Sequence, residues 1–305
     1  MSNQEAGIWG QLSSAFAQTV SSFEDGIVAV RTAGRSTVSG VVWRDGVIVT
    51  VRHALRRGED VKVIHRDAKK QVLAQWAGSD PGTDLALLRV ETGVFKPIQM
   101  AIEEGQRVGD IVLSIGRSRL GDISASAGII ARLGGGWRTW SGGKLDRLIR
   151  PDVRLYVGMT GSALVDEHGR VLGINNNALA RSAVITVPSK TVDRVVSTLL
   201  ERGSIPRPYL GIAMQAVPLP EGARAHFPEG TERALLIMHL ESGAPAAAGG
   251  ALVGDLIVSF GGDVVRSVSE FQEKLVGLNV GDSVPLVVLR GGNKMTLTLQ
   301  VGNRE

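Results

Sequence analysis

Five apolar residues near the start of the chain, Ile8, Leu12, Phe16, Val20 and Phe23, recur at intervals of three and four, with polar residues filling the gaps. That spacing sets them along one stripe of a helix. The stripe is narrow, so such a helix must bury it against its own domain or against a neighbouring subunit. From Gly26 the period changes. The runs GIVAVRT, STVSGVVWR, VIVTV, DVKVIHR, VLAQWAG and DLALLRV follow one another, separated by Gly, Asp or basic turns. After a loop come RVGDIVLSIG, ISASAGIIARL, RLIRPDVRLYV, SALVDEHGRVLGINN and SAVITVP. A dozen or so short strands without long helices between them predict a sandwich or barrel, not a parallel α/β sheet. GGGWRTWSGG, residues 134–143, reads as an exposed mobile loop.

Helical spacing returns in PSKTVDRVVSTLLERG. Val192, Val195, Val196, Leu199 and Leu200 share a face, Ser189 is the expected N-cap, and Gly203 ends the helix. SIPRPYLG, with two prolines, then reads as a stiff connector. The chain therefore divides into a helical segment 1–25, a β domain 26–203 and a second domain 204–305. The last alternates strands with a short helix near APAAAGG and a longer one at SVSEFQEKLVGL.

Composition narrows the chemistry. With 305 residues, 43% of them apolar and 21% charged, the chain can bury two or three cores. The 39 glycines suit many tight turns. Cysteine is absent, which excludes disulfides, thiol nucleophiles and cysteine-ligated metal sites. The first 26 residues lack a basic start and a continuous apolar run, so they read as neither signal peptide nor membrane anchor. The expected location is cytoplasmic if the sequence is complete, and periplasmic or otherwise extracytoplasmic if a leader was removed. From Ile205 onward 8 Lys and Arg face 10 Asp and Glu, leaving 26 against 20 before it. A basic first part can attract nucleic acid. Arg117, Arg119, Arg132, Arg138, Arg147, Arg150 and Arg154 are scattered with little aromatic interleaving, however, so they read as solvated strand ends and no nucleic-acid partner is expected.

Three stretches carry candidate chemistry. VIVTVRHALRR puts His53 just after an apolar strand, DPGTDLALLRV puts Asp84 at a strand mouth, and GMTGSAL puts Thr160 in a glycine-flanked turn. A histidine needs an acceptor on one nitrogen to hold its tautomer while the other takes a hydroxyl proton, and a carboxylate fills that role. The flanking glycines let backbone N–H groups turn toward a developing oxyanion. Asp80 is a competing acid, but DPG marks it as a turn former. His65, His168, His226 and His239 fit the arrangement less well.

The order and spacing of TVRHAL, TDLALLRV, GMTGSALVDEHGRVLGINN, VPSKTVDRVVSTLLERG and RPYLGI resemble the HtrA (Deg) family of trypsin-like serine proteases, over about Gly26 to Val301. The resemblance implies a mainly β fold, a chymotrypsin/trypsin-like double β-barrel followed by a PDZ domain. It implies His53 as general base, Asp84 as orienting acid and Thr160 at the nucleophile position. The backbone N–H groups of Gly158 and Thr160 match the oxyanion hole, and Gly173, Ile174, Asn175 and Asn176 match the strand beside the specificity pocket. In the second domain Leu210, Gly211 and Ile212 match the loop that captures a peptide's C-terminal carboxylate. Phe271 and Leu275 are groove or core residues of its helix, with core the better assignment for one of them. The implied partners are unfolded polypeptides and C-terminal peptides, with a trimer-based homo-oligomer to which Trp9, Phe16 and Phe23 contribute. No cofactor and no metal are implied.

The family's GNSGGPL is here GMTGSAL, different at Met159, Thr160, Ser162 and Ala163. Ser162 should point elsewhere and cannot replace the nucleophile. Threonine keeps the hydroxyl but adds a methyl whose place is fixed once the oxygen is aimed. A slow endopeptidase, a peptide-binding pseudoprotease and a serine replaced to trap a complex all stay open.

Overall fold

Strands that read as continuous apolar runs are buried on both faces. In the first barrel β1 (Ile27–Arg31), β2 (Thr37–Arg44), β3 (Val47–Val51), β4 (Val61–Ile64), β5 (Gln71–Asp80) and β6 (Leu85–Arg89) close antiparallel in the order β1-β2-β3-β6-β5-β4. Alternate residues divide between two cores. Val28, Val30, Ile48, Ala86 and Leu88 join one cluster, while Ile27, Val49, Leu85 and Leu87 join the larger one shared with the second barrel. The computed structural model describes residues 7–32, 37–56, 61–65, 71–100 and 105–303.

The second barrel comprises β7 (Ile111–Arg117), β8 (Ile123–Gly134) and, after a small hairpin of β9 (Trp137–Arg138) with β10 (Lys144–Leu145), β11 (Leu148–Asp152), β12 (Ala163–Val165), β13 (Val171–Asn176) and β14 (Ile185–Pro188). It closes as β11-β14-β13-β12-β7-β8. The expected mobile loop at 134–143 is thus partly strand. Thr139 is buried there and donates to Gly82 O at 2.6 Å, although Trp140 is 98% exposed. Arg117, expected at a solvated strand end, is 2% exposed and donates to the carbonyls of Ile27, Gly121 and Glu24. A buried guanidinium satisfied by carbonyls ties β7 to the first barrel.

Helix α1 (Ile8–Ser22) follows the predicted stripe. Phe23 is buried and Phe16 and Val20 pack on the shared core, so two of the three aromatics assigned to subunit contacts are spent on the chain's own core. Trp9 stays exposed. Helix α2 (Ser189–Arg202) buries Val192, Val195, Val196 and Leu199 and ends at Gly203 in the left-handed region. Its N-cap is Pro188, not Ser189, whose hydroxyl donates to Val171 O at 2.6 Å.

The chain divides into two compact units at Ile205/Pro206. The second holds β15 (Pro208–Tyr209), β16 (Ile212–Pro218), a 3-10 turn (Glu221–His226), β17 (Arg233–Leu240), α3 (Pro245–Ala248), β18 (Leu256–Phe260), β19 (Asp263–Val264), α4 (Val268–Val276), β20 (Ser283–Arg290), β21 (Asn293–Gln300) and β22 (Gly302–Asn303). The main sheet runs β16-β17-β18-β20-β21, which leaves β16 at an edge. Ser267 caps α4 by accepting from Glu270 N, while the Glu270 carboxylate reaches back to accept from Arg266 N, the residue before the cap. Asp255 is buried. Burial pushes its carboxyl up, but the Arg290 hydrogen bonds, the Leu252 N–H and the Arg290 charge outweigh that and hold it below the ordinary value of 3.8.

Candidate active site

β3 and β6 are paired with Val51 opposite Leu85, which brings the turn after one strand beside the mouth of the other. His53 and Asp84 meet there. The imidazole Nδ1 lies 2.5 Å from Asp84 Oδ2, and the His53 backbone N–H donates to Asp84 Oδ1 at 2.9 Å. Asp84 is 8% exposed and also accepts from Asn176 Nδ2 at 2.7 Å. With the carboxylate against Nδ1, the proton belongs on that nitrogen and Nε2 is left as the basic one. Asp84 alone among the described non-glycine residues has a positive φ, 56°. Such strain persists where several contacts over-determine the backbone, and here Arg52 N–H also donates to Asp84 O. Asp80 instead folds its own turn, accepting from Gly82 N, Thr83 N and the Thr83 hydroxyl.

The GMTGSAL loop is fastened from the first barrel. Ser39 Oγ donates to Gly158 O at 2.8 Å and accepts from Arg117 N, while Ser39 N donates to Thr160 O. Met159 N, Gly161 N and Ser162 N bond to Tyr156 O, Asn175 O and Met159 O. Among the described residues the N–H groups of Gly158 and Thr160 donate to nothing, so two of the loop's donors remain unspent. The Thr160 hydroxyl does not bond to His53. It donates to Asn177 Oδ1 at 3.0 Å.

Ser162 is fully buried and shares a network with Ser114 and Asn175, away from His53. The four residues matched to a pocket wall are buried as well. Ile174 lies in the shared core, the Asn175 side chain bonds Ser114, Ser162 and Thr186, and Asn176 holds Asp84. The side chains of Ile174, Asn175 and Asn176 are therefore spent on packing and hydrogen bonds within the fold. Asn176 as a carboxylate anchor, Asn177 as the Thr160 acceptor and Ser39 as the loop strap were missed by the sequence reading. Their signal, a polar residue inside an apolar strand or at its end, is shared with many turn residues.

In the second unit Gly211 has φ 74°, and among the described residues the N–H groups of Leu210 and Gly211 donate to nothing. Ile212 opens the edge strand β16, partly buried on the core. Leu275 is partly buried against the same core. Of the two helix residues offered to groove or core, Phe271 is the one in the core: it is 1% exposed and stacked on Phe260 with centroids 4.3 Å apart. Among the described residues no cluster of three or more His, Asp or Glu could hold a metal ion, and no helix is long and apolar enough to cross a membrane.

Residues 38–174 match the trypsin-like peptidase domain family, and residues 208–301 match the PDZ domain family. A probable periplasmic serine endoprotease DegP-like of Pseudomonas putida (strain GB-1) is 30% identical over 269 residues, 86% of this chain and 55% of that protein. The chain thus spans about half the length of the curated relatives it matches. Among solved structures, an HtrA-type protease AlgW with a decapeptide superposes with a TM-score of 0.71 at 25% identity, over 95% of this chain and 99% of that one. The serine endoprotease from Yersinia pestis gives 0.71 at 25%, over 95% and 98%.

In its two domains and their order the chain is similar to the HtrA/DegP family. The two barrels are the trypsin-like part of that family's fold, and the second unit is its PDZ domain. The His–Asp pair is carried by the first barrel, and Thr160, with the Gly158 and Thr160 N–H groups that donate to nothing among the described residues, by a loop of the second.

Proposed function

We propose that this chain is an HtrA/DegP-family serine-type endopeptidase of unfolded or C-terminally recognised polypeptides, slowed by Thr160 at the nucleophile position. The observation that carries this reading is the His53–Asp84 contact at 2.5 Å, backed by Asn176. A site kept only to bind peptide needs no oriented base. In this mechanism His53 Nε2 takes the Thr160 proton as the hydroxyl oxygen attacks a peptide carbonyl. Asp84 stabilises the imidazolium, and Gly158 and Thr160 N–H groups hold the oxyanion. His53 then protonates the leaving amine, and water repeats the sequence to release the acyl group. Thr160 must first leave Asn177 Oδ1, and its β-branch restricts the rotamers that allow this. The PDZ unit would take a C-terminal carboxylate on the Leu210 and Gly211 N–H groups and the peptide as a strand beside β16. Exposed Ile8 and Trp9 supply a surface for neighbouring copies. The relatives' naming favours a periplasmic setting.

The second reading is a peptide-binding scaffold that does not cut. It is favoured by the same Thr160–Asn177 bond, which spends the hydroxyl proton on Asn177 and not on the base. Casein degradation by the chain, beside Thr160→Ser and Thr160→Ala, separates the two. The expected rate exceeds that of the alanine variant and falls about a hundredfold below serine. Equality with alanine ends the hydrolytic reading and leaves the scaffold.

A further inference from the structure

A cavity of about 760 Å³ opens in the second barrel. Arg132, Arg150 and Arg181 line it, and among the described residues Asp152 is the lone acid doing so. Arg132 and Arg150 are direct partners across β8 and β11, so their side chains leave the same face at neighbouring positions. Like charges placed opposite one another weaken a sheet. Among the described residues no carboxylate forms an ion pair with any of these three guanidinium groups. The loop carrying Arg181 closes the cavity with Ser182, and Asn177 lines it too.

Asn177 connects this cavity to the chemistry, because its Oδ1 accepts the Thr160 hydroxyl. A polypeptide lying across Thr160 therefore passes the mouth of a cleft with three cations and one carboxylate. We propose that the cavity binds an Asp or Glu side chain of that polypeptide, and so sets a preference for acidic residues near the bond presented to Thr160. The inference rests on the reading that a polypeptide occupies the Thr160 site. Guanidinium groups suit this role because their planar donors pair with both carboxylate oxygens. A cleft lined by one sign of charge also concentrates the opposite one.

The test uses the full chain carrying Thr160→Ala, so that nothing is cut. Two fluorescein-labelled unstructured peptides, C-terminally amidated to spare the PDZ loop, differ only by Glu against Gln at central positions. Anisotropy should show the Glu peptide binding on the order of tenfold tighter, a difference that shrinks with salt because the arginines are exposed. Combining Arg132→Gln, Arg150→Gln and Arg181→Gln should remove the difference while leaving the Gln peptide's affinity unchanged. Arg150→Glu should shift preference toward a Lys peptide, a gain of signal that a misfolded variant cannot give. Equal binding of Glu and Gln peptides, binding of neither, or a preference that survives the triple substitution overturns the proposal. A Thr160→Ser enzyme that cuts casein without acidic residues near its cleaved bonds also overturns it, with the hydrolytic reading intact. A Glu preference without any cleavage keeps the cavity and removes hydrolysis.

Discussion

The loop at Gly158–Thr160 and the loop at Leu210–Ile212 use one device in two settings. Each contains a glycine in the left-handed region, φ 93° at Gly158 and 74° at Gly211, and each leaves two N–H groups without an acceptor among the described residues. They differ in what fastens them. The first is held by neutral groups from another barrel, with Ser39 at its centre. The second is held through α3, whose Ala246 N–H donates to Leu210 O, and the segment after α3 is pinned by the Arg290–Asp255 ion pair and by Arg290 on Gly250 O. Two loops with free donors on one chain can thus be perturbed separately, one by removing a hydroxyl and the other by charge or crowding.

The largest effect is expected from Ser39→Ala in the Thr160→Ser background. Losing this buried hydroxyl leaves Gly158 O and Arg117 N–H without their partner, at a cost of about 1–3 kcal/mol. A loop displaced by roughly 1 Å should lower casein cleavage about a hundredfold. Binding of a peptide with a free C-terminus, followed by anisotropy, should not change. If both fall together, the two loops are not independently fastened and the comparison fails.

Gly211→Ala is the reciprocal change with a smaller effect. A Cβ there would lie 2.2 Å from Ala244 Cβ, on a backbone that alanine adopts poorly. Affinity for a free C-terminal peptide should drop on the order of tenfold, as for loss of a charge-assisted hydrogen bond. An amidated peptide should bind as before, and cleavage of a short internal peptide should persist. Loss of that cleavage would show that Gly211 acts on more than carboxylate capture.

The fold was legible because its strands alternate between two cores. Leu85 and Leu87 face the shared core, while Ala86 and Leu88 face the first barrel's interior, so the run reads apolar throughout, as a doubly buried strand does. His53, Asp84 and Thr160 were singled out by the motifs that resemble the HtrA family; the structure joins the first two and bonds the Thr160 hydroxyl to Asn177. The supporting polar residues were not. Asn176 is recognised as a support for Asp84 only when β13 is brought beside the first barrel, a contact 92 residues away in sequence. Asn177 and Ser39 are likewise tertiary assignments, and Arg117 looked like a surface charge until its three carbonyl acceptors were in place. Phe271 and Leu275 share helical spacing, and only the stacking on Phe260 assigns the first to the core.

The smallest effect separates the loops by pH. Asp255 has its carboxyl held below the ordinary 3.8, so its contribution to stability is complete above that value and is lost as pH falls through the lower folded value. Ser39 carries no charge in this range and its strap does not titrate. Acidification below about pH 4 should therefore weaken the PDZ unit through Asp255 and leave the Ser39 strap intact. Thermal unfolding of the PDZ unit in Asp255→Asn should lose about 2 kcal/mol at pH 7 and show a flatter acid limb than the parent chain. An unchanged acid limb would mean that Arg290 pins the segment after α3 through Gly250 O alone, and that the ion pair adds nothing the neutral fastening lacks.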